Sequence, residues 1–441
     1  MKILFRLALL SALCLALAGA AAPAADDVLE ATLDNGLRVL LLQDHRSPLV
    51  SFQVWYRVGS RNERPGATGL AHLLEHMMFK GTTAYGPRMF ATLIEQSGGQ
   101  DNAFTSQDYT SYFVTIAAGK LDLVVALEAD RMRNLLLDTK DFESERLVVM
   151  EERRTRTEDD PEGFLGEELS AIAFVAHPYR SPIVGWMEDL RGLRVEDARE
   201  FYRTYYVPNN ALVVAAGDFK APELLEKIRR AFGAIPRAAD PPPVRVAEPR
   251  QNGERRVTVR KEAQLSPVFI GYPVPNFRSP DAHALELLST ILSEGRSSRL
   301  HRRLVYERQI ALNAGGDYSY FSADPNLFWF FATALPRQTP EALERALMEE
   351  VERLKAEPVS AAELERAKNQ IEAAFVFRQD SVYSRASLLA RFELIGGWRL
   401  RDQFVPAIRA VTAADLQRVA RAHFPDERRN VGVLLPIPPR P

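Results

Sequence analysis

The chain has 441 residues, too many for one ordinary core, and its length fits roughly two to three domains. Hydrophobic residues make up 46% and charged residues 26%, the balance of a folded soluble protein rather than a disordered one. With 56 Lys and Arg against 58 Asp and Glu the net charge is -2, which offers no electrostatic grip on nucleic acid, and a single cysteine excludes a disulfide scaffold or a cysteine-built metal site.

Residues 1–24 read as a secretory signal peptide. Lys2 and Arg6 precede the apolar run from Leu7 to Gly19, which is short for a membrane span, and small residues offer cleavage after Ala20 or near Ala24. Asp26 and Asp27 follow in place of a stop-transfer segment, so no stable membrane anchor is expected after cleavage. Losing the leader also removes Cys14, and a cysteine-free mature chain suits an oxidising compartment.

Strand-like runs begin at Gly36, Leu49, Thr110 and Ala211, and helical periodicity appears near residues 68–79, 87–97, 120–136, 141–157 and 194–205. A stretch rich in Pro and charge follows, in which Pro241, Pro242 and Pro243 favour an extended linker. Beyond it come a strand from Ser266, a helix from Asp281, and strand-like segments within 311–334. Helices are expected near 339–356, 360–378, 382–395 and 412–423, and NVGVLLP closes the chain as a strand. The recurring order suggests two α+β domains of related plan: residues 28–233, a linker at 234–256, and residues 257–437.

The most informative segment contains His72-Leu73-Leu74-Glu75-His76. On a helix, positions i and i+4 share a face, so both imidazoles can reach one ion, with Glu75 near enough to contact a water on it. The plainer reading is two solvated histidines beside a helical charge pair. Catalytic zinc usually takes three protein ligands. In the charged segment Asp141 to Asp160, Glu145 and Glu152 lie two turns apart on one face, but spacing alone equally describes a solvated helix and leaves the third ligand open.

The wider context narrows this. GLAHLLEHMMFKGT, GGQDNAFTSQDYTSYF, SERLVVMEE and HPYRSPIVG in the first half, with GRSSRLHRRLVYERQIA and AAELERAKNQIEAAFVFRQD in the second, resemble the pitrilysin / insulinase / mitochondrial processing peptidase family of inverted-motif zinc metallopeptidases. The fold this implies is α+β, two related domains joined by a Pro-rich linker, each a mainly antiparallel sheet with helices packed on one face. The resemblance further implies that His72, His76 and Glu152 bind one zinc per chain, that Glu75 is the general base, and that Glu145 orients a ligand. Asn102 and Ala103 would hold a peptide substrate as an added strand.

The resemblance also has a gap. Where self-sufficient relatives carry an Arg and a Tyr toward the substrate, this sequence has Val305 and Leu312. Neither side chain can donate a hydrogen bond. Nearby Arg303, Tyr306, Arg308, Tyr318 and Tyr320 read as helix surface or strand face. The chain therefore resembles the zinc-bearing half of a two-chain bacterial member, whose related zinc-less partner chain supplies the Arg and Tyr. The expected function is an exported, periplasmic zinc metalloendopeptidase acting on peptides or unfolded segments. The alternative is a non-catalytic peptide-binding or scaffold subunit of a family heterodimer. His45, His177, His283, His301 and His423 have no partner at ligand spacing and are expected to be structural or exposed.

Overall fold

The computed structural model describes residues 28–437, and the expected signal peptide lies outside them. Strands β1 (Val28–Thr32), β2 (Arg38–Gln43), β3 (Leu49–Tyr56), β4 (Gln100–Thr105), β5 (Thr110–Ala117) and β6 (Ala211–Gly217) form one sheet in the order β1-β2-β6-β3-β5-β4. Strands β7 (Arg255–Glu262), β8 (Pro267–Val274), β9 (Ala311–Tyr318), β10 (Asn326–Ala334) and β11 (Asn430–Ile437) form a second, in the order β7-β11-β8-β10-β9. In each sheet the first long strand pairs in parallel with the last, and every other neighbour is antiparallel. With β1 set aside, the two sheets share one connectivity. The halves are related α+β units, as expected.

In the first half, α1 (Leu70–Met77) and α2 (Met89–Gln96) connect β3 to β4. Helices α3 (Leu121–Asn134), α4 (Thr139–Arg153), α5 (Pro161–Ala173), α6 (Met187–Gly192) and α7 (Val195–Tyr205) lie between β5 and β6, and α8 (Ala221–Phe232) follows β6. The second half carries α9 (Ala282–Ser293), α10 (Pro340–Ala356), α11 (Ala361–Phe377), α12 (Val382–Ile395), α13 (Leu400–Ala410) and α14 (Ala413–His423). Residues 236–252, within the Pro-rich stretch, form neither helix nor strand.

Side chains alternate across a pleated strand, so each strand shows two faces. Val39, Leu41, Phe52, Val54, Val213 and Ala215 point into the core beneath the first half's own helices. Their neighbours Leu40, Leu42, Trp55, Leu212, Val214 and Ala216 are equally buried on the opposite face. What covers that face is α12, from the other half, through Ala386, Leu389 and Ala390. The exchange is reciprocal: α5 of the first half packs on β7, β8 and β11, where Leu165 meets Val259 and Leu434. Gly432 in β11 permits this close approach, since a Cβ there would sit 3.2 Å from Leu165. Burying a Leu or Val side chain contributes about 1.5–3 kcal/mol, so each exchanged helix adds several such increments.

Polar contacts fix the register of α12. Arg385 Nη1 donates to Asp44 Oδ2 at 2.6 Å, with both residues buried. Gln53 Nε2 donates to the carbonyl of Tyr383 at 3.1 Å, and Arg38 Nε to Glu393 Oε1 at 2.9 Å. Glu30 accepts from Trp398 Nε1 at 2.9 Å and from Arg38 and Arg399 at 2.6 and 2.7 Å, which holds its carboxyl down at about 2. The side chains of Arg46 and Arg385 likewise keep Asp44 well below the usual carboxylate range.

Removing one partner of a buried ion pair typically costs about 3–5 kcal/mol, because the other charge stays desolvated. Asp44→Ala is therefore expected to lower the stability of the mature chain by about that amount, read from the midpoint of urea unfolding. A midpoint equal to that of the unsubstituted protein would show that the contact does not hold α12 to the first sheet.

Candidate metal centre

Helix α1 is placed by two glycines and two acids. Gly69, at φ +84, precedes its first turn, and a Cβ there would lie 2.5 Å from the carbonyl of Val184. Gly185 on the facing segment is likewise in the left-handed region and packed against Thr68 and Gly69. At the helix start Glu63 accepts the backbone N–H groups of Gly69 and Ala71 at 2.9 and 2.7 Å, while Asp189 accepts the Thr68 hydroxyl at 2.6 Å. Carboxylates here answer both the unpaired N–H groups and the positive end of the helix dipole. Leu70, Ala71, Leu73, Leu74 and Met77 are buried beneath α1. The remaining face presents His72, Glu75 and His76 toward α4 and β4.

Helix α4 begins with Asp138, whose side chain accepts the N–H groups of Lys140 and Asp141. Fifteen residues later it passes into a π-helical turn, Arg154–Glu158, the kind of irregularity frequent at functional sites. Just before that turn, Glu152 sits with Oε1 at 3.7 Å from His72 Nε2 and Oε2 at 3.5 Å from His76 Nε2. The adjoining Arg153 is buried and anchored, donating to both oxygens of Glu167 on α5 at 2.8 and 2.7 Å and to the carbonyl of Gly185 at 2.7 Å.

The donor atoms of His72, His76 and Glu152 all lie within 4.8 Å of one another. Among the described residues no other trio of His, Cys, Asp or Glu meets that spacing. The separations are too long for hydrogen bonds. They match those of ligands around one small cation: with zinc–donor distances near 2.1 Å, tetrahedral neighbours lie about 3.4 Å apart. Burial holds the His72 imidazole down at about 3, with the neighbouring His76 and Arg156 adding to the effect, so at neutral pH its nitrogen lone pair is free to bind a metal. The residues present thus fit a zinc ion.

Around the trio, the Nδ1 of His76 lies 3.2 Å from Glu145 Oε2, and Lys80 pairs with the other oxygen of Glu145. Arg156 pairs with Glu152 Oε1 at 2.5 Å. Glu75 is pushed above the ordinary carboxylate range by burial, opposed by a hydrogen bond from the Thr105 hydroxyl to its Oε2 at 2.5 Å. Thr105, Lys80 and Arg156 did not emerge from the motif. Lys80 and Arg156 sit four residues past His76 and Glu152, a spacing that could have pointed to them.

Thr105 ends β4, the edge strand of its sheet, so one side of β4 has no strand partner. Asn102 and Ala103 lie on that strand. The Asn102 side chain is exposed, and its Oδ1 accepts the N–H of Ala103 at 2.8 Å. In the second half, Val305 packs against the core and Leu312 is 55% exposed on β9. Of the neighbouring polar residues Tyr306 is exposed, and the others have partners of their own. Arg303 pairs with Glu350, Arg308 with Glu349, Tyr318 with the carbonyl of Pro275, and Tyr320 with His283. His45, His177 and His423 pair with Asp218, Asp324 and Asp281.

Comparison with known proteins identifies the family. Residues 38–185 match the family model described as Insulinase (Peptidase family M16), and residues 192–371 the one described as Peptidase M16 inactive domain. The chain is 34% identical over 414 residues to the zinc protease PqqE of Helicobacter pylori, covering 92% of each chain. A solved structure of a protease from Helicobacter pylori superposes with a TM-score of 0.91 at 33% identity, covering 93% of this chain and 100% of that one. The periplasmic protease PqqL from Escherichia coli shares the fold at a TM-score of 0.75 and 20% identity, with 94% of this chain matching 48% of that one. The chain belongs to the insulinase family of peptidases, M16.

Proposed function

We propose that this chain is an exported zinc metalloendopeptidase that hydrolyses peptides or unfolded segments, with His72, His76 and Glu152 holding one zinc and Glu75 as general base. The observation that carries the reading is the convergence of two imidazoles and a carboxylate beside an unpaired sheet edge, with Glu75 on the same helix face. When bound, zinc would polarise the scissile carbonyl and acidify a water molecule. The chain's own groups do the rest. Thr105 holds Glu75 Oε2, which leaves Oε1 to take the proton of the attacking water and return it to the departing amine. Glu145 fixes the ring of His76 through Nδ1. Strand β4 takes the substrate as an added strand at Asn102 and Ala103, displacing the internal contact between them. Such pairing reads main chain, so side-chain preference is broad.

The working division is a metal-bearing unit at 28–233, a linker at 234–256 and a second unit at 257–437. Val305 and Leu312 supply no donor to a developing oxyanion, and loss of such a donor costs about 2.7–4 kcal/mol, or 10²–10³ in rate. A related zinc-less partner chain carrying the Arg and Tyr would restore it. The Escherichia coli protease supports such pairing, since this chain matches only half its length. That protein is described as periplasmic, which together with the apolar leader supports the same compartment here. The same two residues favour the second reading, a peptide-binding subunit without turnover.

Three measurements test this. Glu75→Gln should lower hydrolysis of a fluorogenic peptide by about 10²–10⁴ while zinc content stays at one per chain, and chelator should abolish the remainder. Turnover that survives Glu75→Gln unchanged refutes the mechanism. Thr105→Val should lower kcat about tenfold with KM little altered, and Thr105→Ser should restore it; equal loss in both variants would make Thr105 merely structural. Mixing the chain with a related zinc-less partner should raise kcat/KM by about 10²–10³. No gain on mixing would remove the two-chain assembly.

A further inference from the structure

A cavity of about 770 Å³ lies apart from the metal trio, between the linker and the second half. Linker residues 246–251 form one side, and His177, Pro273 and Arg428 contribute to the others. Its size falls within the range of about 300–1,000 Å³ typical of small-molecule sites. The segment it shares with the metal centre begins at His177, in the cavity wall, and ends at Gly185, packed against the start of α1.

The charges in this wall are unevenly satisfied. Glu248 is committed, accepting the N–H groups of Val175, Ala176 and His177 at 2.7, 2.9 and 2.8 Å. Asp324 is held by Arg61 at 2.7 Å and His177 at 3.2 Å. Arg255 donates to the carbonyls of Ile172 and Ala173. Arg421, Arg428 and Arg250 remain, and Arg421 is turned to the carbonyl of Lys355 at 2.7 Å. Arg428 has a single backbone partner, the carbonyl of Pro273 at 2.8 Å, and Arg250 has no hydrogen bond or ion pair among the described residues. Among the described residues neither has a carboxylate within 4.0 Å, and the exposed Glu427 acts on Arg428 only from beyond that distance. Burial and the like charge of Arg250, partly offset by Glu427, hold the Arg428 guanidinium below its ordinary value. Pro249, Pro273, Pro325 and Pro425 make much of the remaining surface apolar.

Two neighbouring guanidiniums, the exposed Arg250 and the half-buried Arg428, countered only by Glu427 from beyond ion-pair distance, on the wall of a largely apolar cavity, fit a ligand that brings a further anion with it. We propose that this cavity binds a small organic oxyanion, a carboxylate or phosphate on a body with an apolar flank, with its charge between Arg250 and Arg428. Planar guanidinium forks match the oxygen geometry of both groups. Arg250 belongs to the linker and Arg428 lies just before β11, so the bound anion would tie the linker to the second sheet. Its effect is on stability and on the seating of the 177–185 segment rather than on the chemistry at Glu75.

The test is calorimetric titration and thermal unfolding of the full mature chain at constant ionic strength, with citrate as the carboxylate probe and adenosine monophosphate as the phosphate probe. Saturable binding of either is expected, with an unfolding midpoint that rises with probe concentration. Arg250→Glu should weaken that binding at least about tenfold while zinc content is unchanged. Arg250 makes no contact whose loss would unfold the chain, so this variant stays interpretable even if Arg428→Gln proves unstable. Binding of citrate alone or of adenosine monophosphate alone selects the ligand class. Absence of saturable binding by both probes, or binding indifferent to Arg250→Glu, overturns the proposal.

Discussion

Strands β2, β3 and β6 carry apolar side chains on both faces, and neither face can be left to water. One face is covered by the helices of its own half, the other by α12 from the far end of the chain. The second sheet solves the same problem with α5. This reciprocal loan is the constraint on which the site depends. Helix α5 follows directly from α4 through the π-helical turn, and Arg153, next to Glu152, is clamped to Glu167 on α5. The carboxylate that meets His72 and His76 is thus held by a helix seated on the opposite sheet. The seating of α5 on the second sheet therefore bears directly on where Glu152 lies.

Much of the site was legible because its residues obey helical spacing. His72, Glu75 and His76 share a face at i, i+3 and i+4, and no tertiary information is needed to see it. Glu145 and Glu152 share a face for the same reason, and spacing could not rank them. Rank comes from depth: Glu152 faces the two Nε2 atoms, whereas Glu145 stands behind His76 at Nδ1. Thr105 was invisible, since one hydroxyl ending a strand has no pattern until the fold lays β4 against α1.

The fold was legible to a different depth. Runs such as RVLLLQ and ALVVAAG read as strands, and the fold buries them on both faces, as their unbroken apolar character allows. They could not say what buried them, because an apolar helix face reads the same whether it covers its own sheet or another. Helix α5 did not stand out for that reason. Its stretch GFLGEELSAIA carries two glycines and mixed polarity, and it becomes a helix only where β7, β8 and β11 receive it. Helix α13, with Pro406 in its interior, was hidden by a residue that ordinarily ends helices.

Shared connectivity gives α9 the same place in its half that α1 has in the first. Yet α9 offers His283, which bonds Tyr320, and Glu286, where α1 offers its two imidazoles and Glu75. Strand β9 is an edge like β4, but Leu312 is an exposed apolar residue on it. A duplicated plan needs only one copy to keep metal donors, because the second is retained by what it packs. Without α12 the apolar back of the first sheet would face solvent, so the unit lacking donors is still indispensable to the one that has them. That fits two sheets which, with β1 set aside, share one connectivity, and of which only one lies beside a trio of metal-donor side chains among the described residues.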